Sequence, residues 1–410
     1  MRSSKDRNNQ KSKEILFLLT QDLESPSGLG RYFPICKYLV KEGFSVTIAA
    51  LHSNFAALET RSFIKEGVNV HYVSQMHIKK ENNKTEYYNS FHLLWIVIKA
   101  TWKLFISTQK SSGDIIVIGK PHPMNSLAGI IGGFLKNKKI ILDCDDYELV
   151  SNYYASNWQK GIVKLFENTT PRFVHQITTN TFFNKNRMSA LGIPPENIHY
   201  LPNGVDEDRF KNISDEAIKE IKSKLGLTDK KIIAYIGSLN LSNHPVDLLI
   251  NAFKYISEEI ANAALLIVGG GRDFFKLQEL ANNLGIEDAV HFEGRISPES
   301  APNYYALADV TVDPVYDTEA AKGRCPLKMF ESWFAGTPFV TGDVGDRSLL
   351  AGSPPAALLA IPGDTEDLAQ KISYIITDPI LEEKILLNGK KRSKSFFWKE
   401  IIHKNINIFE

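Results

Sequence analysis

The sequence predicts two doubly wound, Rossmann-like α/β domains, each built on a parallel sheet. Short apolar runs alternate with helical segments, as expected of strands buried on both faces and joined by crossover helices. The series occurs twice, with a break near residues 205–228. At 410 residues the chain is also too long for one ordinary core.

In the first series, EILFLL (14–19) is a strand, followed by the loop QDLESPSGLGRY and a helix over 32–42. Further strands are expected at 45–50, 68–73, 114–119, 139–144, 176–179 and 198–201, with helices between most of them. The second series has strands at 231–238, 264–271, 290–295, 310–314 and 357–361. Its helices are expected near 245–258, 274–284, 300–307 and 365–377. Ligands of such sheets bind at the carboxyl ends of the strands.

The segment KGRCPLKMFESWFAGTPFVTGDVGD (322–346) is the most informative stretch. Pro326 suits a first helical turn, Gly336 a C-terminal stop, and Pro338 forbids more helix. Lys322, Arg324 and Lys328 surround that helix start, where unpaired N–H groups favour an anion. Glu331 lies on the same helix face as Lys328 and offers acceptors to hydroxyls. A nucleotide diphosphate bearing a sugar would suit this set.

These residues resemble the donor motif of retaining glycosyltransferases of family 4, through Cys325, Pro326, Leu327, Lys328, Glu331, Gly336, Pro338 and Val340. SGLGRYFPICKYLVKEGFSVTIAAL, LPNGVD, FEGRISPESAPNYYALADVTVDP and PGDTEDLAQKI resemble other family segments in the same order. The resemblance implies the GT-B architecture, two Rossmann-like domains facing each other across a cleft. It places an acceptor domain at 14–207, a donor domain at 208–392, and a helix at 393–410 crossing back to the first domain.

The resemblance implies roles for particular residues. His122, Lys328 and Glu331 are expected to be catalytic. Gly28, Gly30, Gly237, Ser238, Gly270, Arg272 and Arg295 would meet the donor, with Lys322, Arg324, Cys325, Pro326 and Leu327. On the acceptor side stand Arg31, Asn125, Asp143, Asp145 and Asp146. The D-x-D shape of Asp143–Asp145 suggests a metal, but the second Rossmann half favours a metal-independent enzyme with no cofactor; helix capping is an equal alternative for these carboxylates. Expected partners are a nucleotide-sugar donor and a saccharide or lipid-linked acceptor.

Two departures bear on activity. Ser238 and His244-Pro245 stand where the family often has a phosphate-binding Arg and Lys-Gly, and Gly323 replaces the first glutamate of a pair with Glu331. Lys322, Arg324 and Lys328 are expected to compensate. A non-catalytic binding subunit, or a phosphorylase or epimerase on the same fold, is the alternative. An NAD-dependent oxidoreductase is disfavoured by Phe33 at the sixth position of the glycine turn.

Net charge is +1, so no global field favours nucleic acid. Residues 1–13 carry five cations and one anion and read as a disordered leader without a secretory apolar region. Cys36, Cys144 and Cys325 have no paired spacing, which fits a reducing cytoplasm. FHLLWIVIKATWKLFI (91–106), broken by Lys99 and Lys103, reads as a largely buried helix. The alternative is a helix on a membrane surface, flanked by Lys79, Lys80, Lys84, Tyr87 and Tyr88.

Overall fold

The computed structural model describes residues 13–81, 84–152, 154 and 156–410. Apart from Lys13, the expected leader lies outside them, as do the side chains of Lys80, Lys84 and Tyr87.

The first sheet grows around β1 (Glu14–Leu19), which is buried from Ile15 onward. On one side follow β2 (Ser45–His52), β4 (Val68–Gln75) and the short β3 (Ser62–Lys65). On the other lie β7 (Ile115–Gly119), β8 (Lys139–Cys144), β9 (Gln176–Thr179) and β10 (Ile198–Tyr200). All pairs are parallel except β3 with β4. A separate hairpin joins β5 (Ile78–Glu81) to β6 (Lys84–Tyr87). The covering helices are α1 (Phe33–Lys41), α2 (Ser90–Lys110), α3 (Pro123–Leu135), α4 (Glu148–Ser151), α5 (Asn157–Thr169) and α6 (Phe182–Ala190).

The second sheet has the order β13-β12-β11-β14-β15-β16 and is wholly parallel. Its strands are β11 (Lys231–Ile236), β12 (Ala263–Val268), β13 (Val290–Gly294), β14 (Val310–Asp313), β15 (Phe339–Gly342) and β16 (Leu358–Ala360). Helices α7 (Asp215–Lys224), α8 (Val246–Glu259), α9 (Phe274–Asn283) and α10 (Ala301–Ala306) accompany the first four strands. Around the donor motif come α11 (Glu319–Lys322), α12 (Leu327–Ala335) and α13 (Arg347–Ala351). The last helices are α14 (Thr365–Thr377), α15 (Pro379–Ser393) and α16 (Trp398–Lys404). Two parallel α/β domains are thus what the alternating pattern specifies.

Four local features differ from the sequence reading. The glycine segment after β1 is not an open loop: Gly28–Tyr32 forms a π-helical turn leading into α1. Strands β3, β5 and β6 were not expected, because SFIK, IKKE and KTEY are short and polar and lack a buried-strand pattern. And α2 is not largely buried. Ile96, Ala100, Leu104 and Thr108 face inward, whereas Phe91, Trp95 and Trp102 are exposed. At the donor motif, Pro326 is the N-cap of α12 rather than a residue of its first turn, and Gly336 ends the helix at φ 78°.

After α15 the chain returns to the first domain. Val205 donates to the Phe396 carbonyl at 2.7 Å and accepts from Trp398 N–H at 3.1 Å. The Trp398 indole donates to the Gly30 carbonyl at 3.0 Å, and Ile401, Ile402, Ile408 and Phe409 pack in the core around β1.

Helix α3 packs its small residues inward. A Cβ on Gly132 would lie 1.9 Å from Thr108 Oγ1 of α2, and Gly129 and Gly133 meet Ile118 and Ile140. Gly132→Ala is therefore expected to destabilise the protein by about 1–3 kcal/mol in urea unfolding. Gly161→Ala in α5, where the Cβ position is open, should be neutral or stabilising by up to about 1 kcal/mol.

Candidate active site

The carboxyl ends of the two sheets carry two charged groups that meet across the domain boundary. On the second domain, Asp313 ends β14. Its Oδ1 accepts from Lys328 Nζ at 2.8 Å and its Oδ2 from Arg347 at 3.1 Å. Burial opposes ionisation of Asp313, but Lys328, Arg347 and Arg324 override it and hold the carboxyl well below its usual range. Lys328 comes from the first turn of α12 and sits 4.9 Å from the centre of the Tyr235 ring. A Cβ on Gly237 would come 2.7 Å from Lys328 Cε, so glycine there makes room for the lysine.

Arg324 supplies a third cation, 3.2 Å from His244 Nδ1. Burial, then Arg324 and Lys328, push the His244 imidazole well below its ordinary value, so it is neutral. The position expected to lack a lysine is thus approached by an arginine from the donor motif. Lys328, Arg347 and Arg324 converge on Asp313, and Asp346 also lies near Arg347, so the cations still outnumber the carboxylates. Lys322 does not join them: it pairs with Asp317 on the surface at 2.7 Å, whereas the buried Arg347 reaches Asp313.

Glu331 is anchored by Arg209 at 2.8 Å and by the Tyr305 hydroxyl at 2.8 Å, one on each oxygen. Each oxygen keeps a lone pair for a ligand hydroxyl. The glycine turns after β11 and β12 interlock: Gly269 has φ 135°, and a Cβ there would lie 1.8 Å from the Gly237 carbonyl. Ser238 accepts from Tyr235 through its carbonyl, and the Gly270 carbonyl accepts from Leu239. Arg272 lies beside Asp273 at the start of α9, at 3.4 Å. Arg295 is exposed at the end of β13.

On the first domain, His122 caps α3. Its Nδ1 lies 2.7 Å from Thr20 Oγ1 and its Nε2 2.9 Å from Glu148 Oε2. Glu148 also accepts from Lys120 at 2.7 Å and from Asn152 at 2.6 Å. Lys120 is itself unusual: it holds φ 72° and places its ammonium 3.0 Å from Asp145 and 3.1 Å from Asp146. Asp145, Asp146 and Glu148 have ligand-like spacing, but Lys120 supplies the cation between them. Burial opposes ionisation of Glu148, yet Lys120 and His122 prevail and hold it below its usual range.

Asp145 behaves oppositely. Burial, with repulsion from Asp146 and Glu148 and against the pull of Lys120, pushes its carboxyl up to about 7. An acid raised on folding stabilises the fold fully below its unfolded pKa and loses that contribution as pH rises through the folded value. Unfolding free energy should therefore fall by roughly 1 kcal/mol per pH unit between about pH 5 and 7. Asp145→Asn is expected to flatten this slope in urea titrations run across that range.

Several expected contacts prove to be internal. Arg31 and Asp143 form a buried two-pronged pair, at 2.8 and 2.6 Å, and Arg31 further donates to Leu201 O and Asn203. Thr178 donates to the same carboxylate at 2.5 Å. This pair joins β8 to the glycine turn and does not present itself to an acceptor. Asn125 is fully buried, its amide donating to the Leu18 and Gly119 carbonyls. The Gly28 N–H donates to Ser25 Oγ instead of facing a phosphate. Leu327 fills the space beside Gly30, and the Cys325 carbonyl accepts from Asn203 at 3.2 Å. Burial pushes the Cys325 thiol up to about 12, and all three cysteines are free and buried.

The two groups approach each other at Gly323. A Cβ there would lie 3.1 Å from Tyr147 Cβ, and its carbonyl accepts from Asn184 at 3.0 Å. Phe182 N–H donates to Asp346 at 2.9 Å, and Asn243 donates to the Ser151 carbonyl. The missing glutamate at 323 thus coincides with close contact between the domains. Asp313, Arg347, Lys120, Glu148, Arg209 and Tyr305 were missed from sequence. Arg209 stands within LPNGVDEDRF and Lys120 within GKPHP, so both were adjacent to recognised motifs.

Comparison with known proteins matches residues 31–209 to glycosyltransferase family 4 and residues 217–392 to glycosyl transferases group 1. A GDP-mannose-dependent alpha-(1-6)-phosphatidylinositol monomannoside mannosyltransferase of Mycobacterium tuberculosis is 30% identical over 205 residues, 49% of this chain and 52% of that protein. Mannosylfructose-phosphate synthase of Agrobacterium fabrum is 28% identical, over 53% of this chain and 49% of its own. The alignments therefore span about half the length of these relatives. Among solved structures, Anabaena HepE with UDP and glucose superposes with TM-score 0.73 and 17% identity, covering 97% of this chain and 99% of its own. Sucrose-phosphate synthase from Thermosynechococcus elongatus gives TM-score 0.76 and 17% identity, covering 97% and 98%.

Proposed function

Because the chain belongs to the group 1, family 4-like glycosyltransferases, we propose that it moves a sugar from a nucleotide diphosphate donor to an acceptor hydroxyl, with retention at the anomeric carbon. The observation that carries this reading is the cation excess at Asp313, next to the start of α12. Lys328 and Arg324 would offset the diphosphate as charge develops on the leaving oxygen, and fixed cations at developing charge supply much of such catalysis. Arg347 and Asp313 position Lys328. Glu331, anchored by Arg209 and Tyr305, would accept from donor hydroxyls.

The acceptor hydroxyl attacks from the face the diphosphate leaves, and the departing phosphate oxygen takes its proton. The C1–O bond to phosphate breaks as the bond to the acceptor oxygen forms. His122, fixed by Thr20 and Glu148, would border the transferred sugar. The reaction as proposed needs no metal, since lysine and arginine provide the positive charge. The acceptor is a saccharide or lipid-linked hydroxyl.

A second reading, a binding subunit without turnover, is favoured by Gly323, where the domains touch at the position of the missing glutamate. Titrating UDP-, GDP- and ADP-sugars by calorimetry, then following anomeric protons by NMR with candidate acceptors, separates the two. Transfer giving an α-linked product from an α-linked donor is the expected result. Binding without transfer to any acceptor would establish the subunit instead, and an inverted product would exclude retention.

A further inference from the structure

We propose that the outer faces of α2, α3 and α5 together form a docking surface for an anionic lipid bilayer. Each helix carries an exposed apolar stripe. On α2 and α3 it lies opposite the buried face, and on α5, whose one buried residue is Glu167, it is the helix's main apolar face. On α2 the stripe is Phe91, Trp95, Ile98 and Trp102, with Trp95 62% exposed. On α3 it is Leu127, Ile131, Phe134 and Leu135, and here the usual arrangement is inverted. Glycines and alanine pack against the sheet while the bulky side chains point away, with Phe134 58% exposed. On α5 it is Trp158, Ile162 and Leu165. A surface helix of a globular protein ordinarily has one apolar face.

The helices that bear the stripes are neighbours: α2 packs along α3 and α3 against α5. Of the 23 exposed large hydrophobic residues described, twelve stand on these three helices. Such concentration in so small a part of the chain marks a covered surface rather than scattered exposure.

Charge identifies what covers it. The three helices carry exposed Lys99, Lys103, Lys110, Lys160 and Lys164, and their one acid, Glu167, is buried against Arg187. A second copy seated face to face would set these lysines against one another. Anionic headgroups would complement them, while lysine stems and tryptophan rings lie at the headgroup boundary. None of the described helices is long and apolar enough to cross a membrane, so the surface lies on the bilayer without spanning it. Helix α3 begins beside His122, one turn before its first exposed apolar residue, Leu127. Delivery of a membrane-borne acceptor to that histidine is the one step that rests on the transfer reading.

The test needs no activity. Of the five tryptophans, Trp333 and Trp398 are buried, and Trp95, Trp102 and Trp158 all lie on this surface. The full chain would be mixed with phosphatidylcholine vesicles containing roughly one-third phosphatidylglycerol, and with phosphatidylcholine alone. Expected are co-sedimentation at least tenfold stronger with the anionic vesicles and quenching of tryptophan fluorescence by brominated lipid. Trp95→Glu/Trp102→Glu and Lys99→Glu/Lys103→Glu/Lys160→Glu/Lys164→Glu should each reduce vesicle binding at least tenfold with an unchanged thermal melt. If a variant fails to fold, the quenching of the unaltered protein still decides. Absence of vesicle binding, equal binding to neutral vesicles, binding without quenching, or a stable dimer split by Trp95→Glu/Trp102→Glu would overturn the proposal.

Discussion

Lys328→Ala is expected to lower kcat/KM for sugar transfer by about 10²–10³, the usual cost of removing one fixed charge from a developing anion. The side chain is held from two directions, by Asp313 at 2.8 Å and by the Tyr235 ring, so its ammonium is already placed when substrate arrives. Burial lowers the lysine's pKa against the pull of Asp313. A desolvated ammonium interacts more strongly with a diphosphate than a hydrated one. The variant should also bind the free nucleoside diphosphate more weakly in calorimetry. Its stability should change little, because Asp313 keeps Arg347. Unaltered turnover in Lys328→Ala would remove this cluster from the chemistry.

The second large effect concerns the fold. Arg31→Met removes one partner of the buried Arg31–Asp143 pair, and breaking such a pair costs about 3–5 kcal/mol. Burial alone would raise the Asp143 carboxyl, but Arg31 overrides it and holds it below the usual range. In the intact protein this carboxylate therefore stabilises the fold above its unfolded pKa and stops doing so in acid. Without Arg31 the burial effect remains and the sign reverses, so the loss relative to the intact protein should be larger at pH 8 than at pH 5. Asp143→Asn in the Arg31→Met background should recover part of the loss. Urea unfolding at the two pH values checks both statements. Lost turnover with unchanged stability would return the pair to the acceptor side.

The parallel sheets were legible because their strands are buried on both faces and announce themselves as unbroken apolar runs. SVTIAALH and AALLIV need no partner to be recognised. SFIK and KTEY form strands only through pairing, on Val68–Gln75 and within a hairpin, so composition hides them. The site divides similarly. Lys328 and Glu331 were evident because three residues of helix set them on one face. Arg347 and Asp313 meet through the parallel pairing of β14 and β15, a contact between residues 34 apart that no local spacing encodes. Arg31 and Asp143 looked chemical from their motifs, yet their burial against each other was decided by tertiary packing. α2 was misjudged because hydrophobicity alone does not distinguish a helix covered by protein from one covered by something else.

The return of the chain to its first domain has a consequence for synthesis. The core around β1 includes Trp398, Ile401, Ile402, Ile408 and Phe409, and Trp398 is hydrogen bonded to Gly30. Strand β10 ends at Tyr200, yet this core lacks one of its walls until Phe409 has left the ribosome. At ~5–20 residues per second that interval is roughly 10–40 s. During it the nascent first domain exposes the apolar flank of α1, where a chaperone can bind and a growing neighbour can mispair. Emergence of the segment through Phe409, rather than completion of the first half, starts the final packing of the first domain.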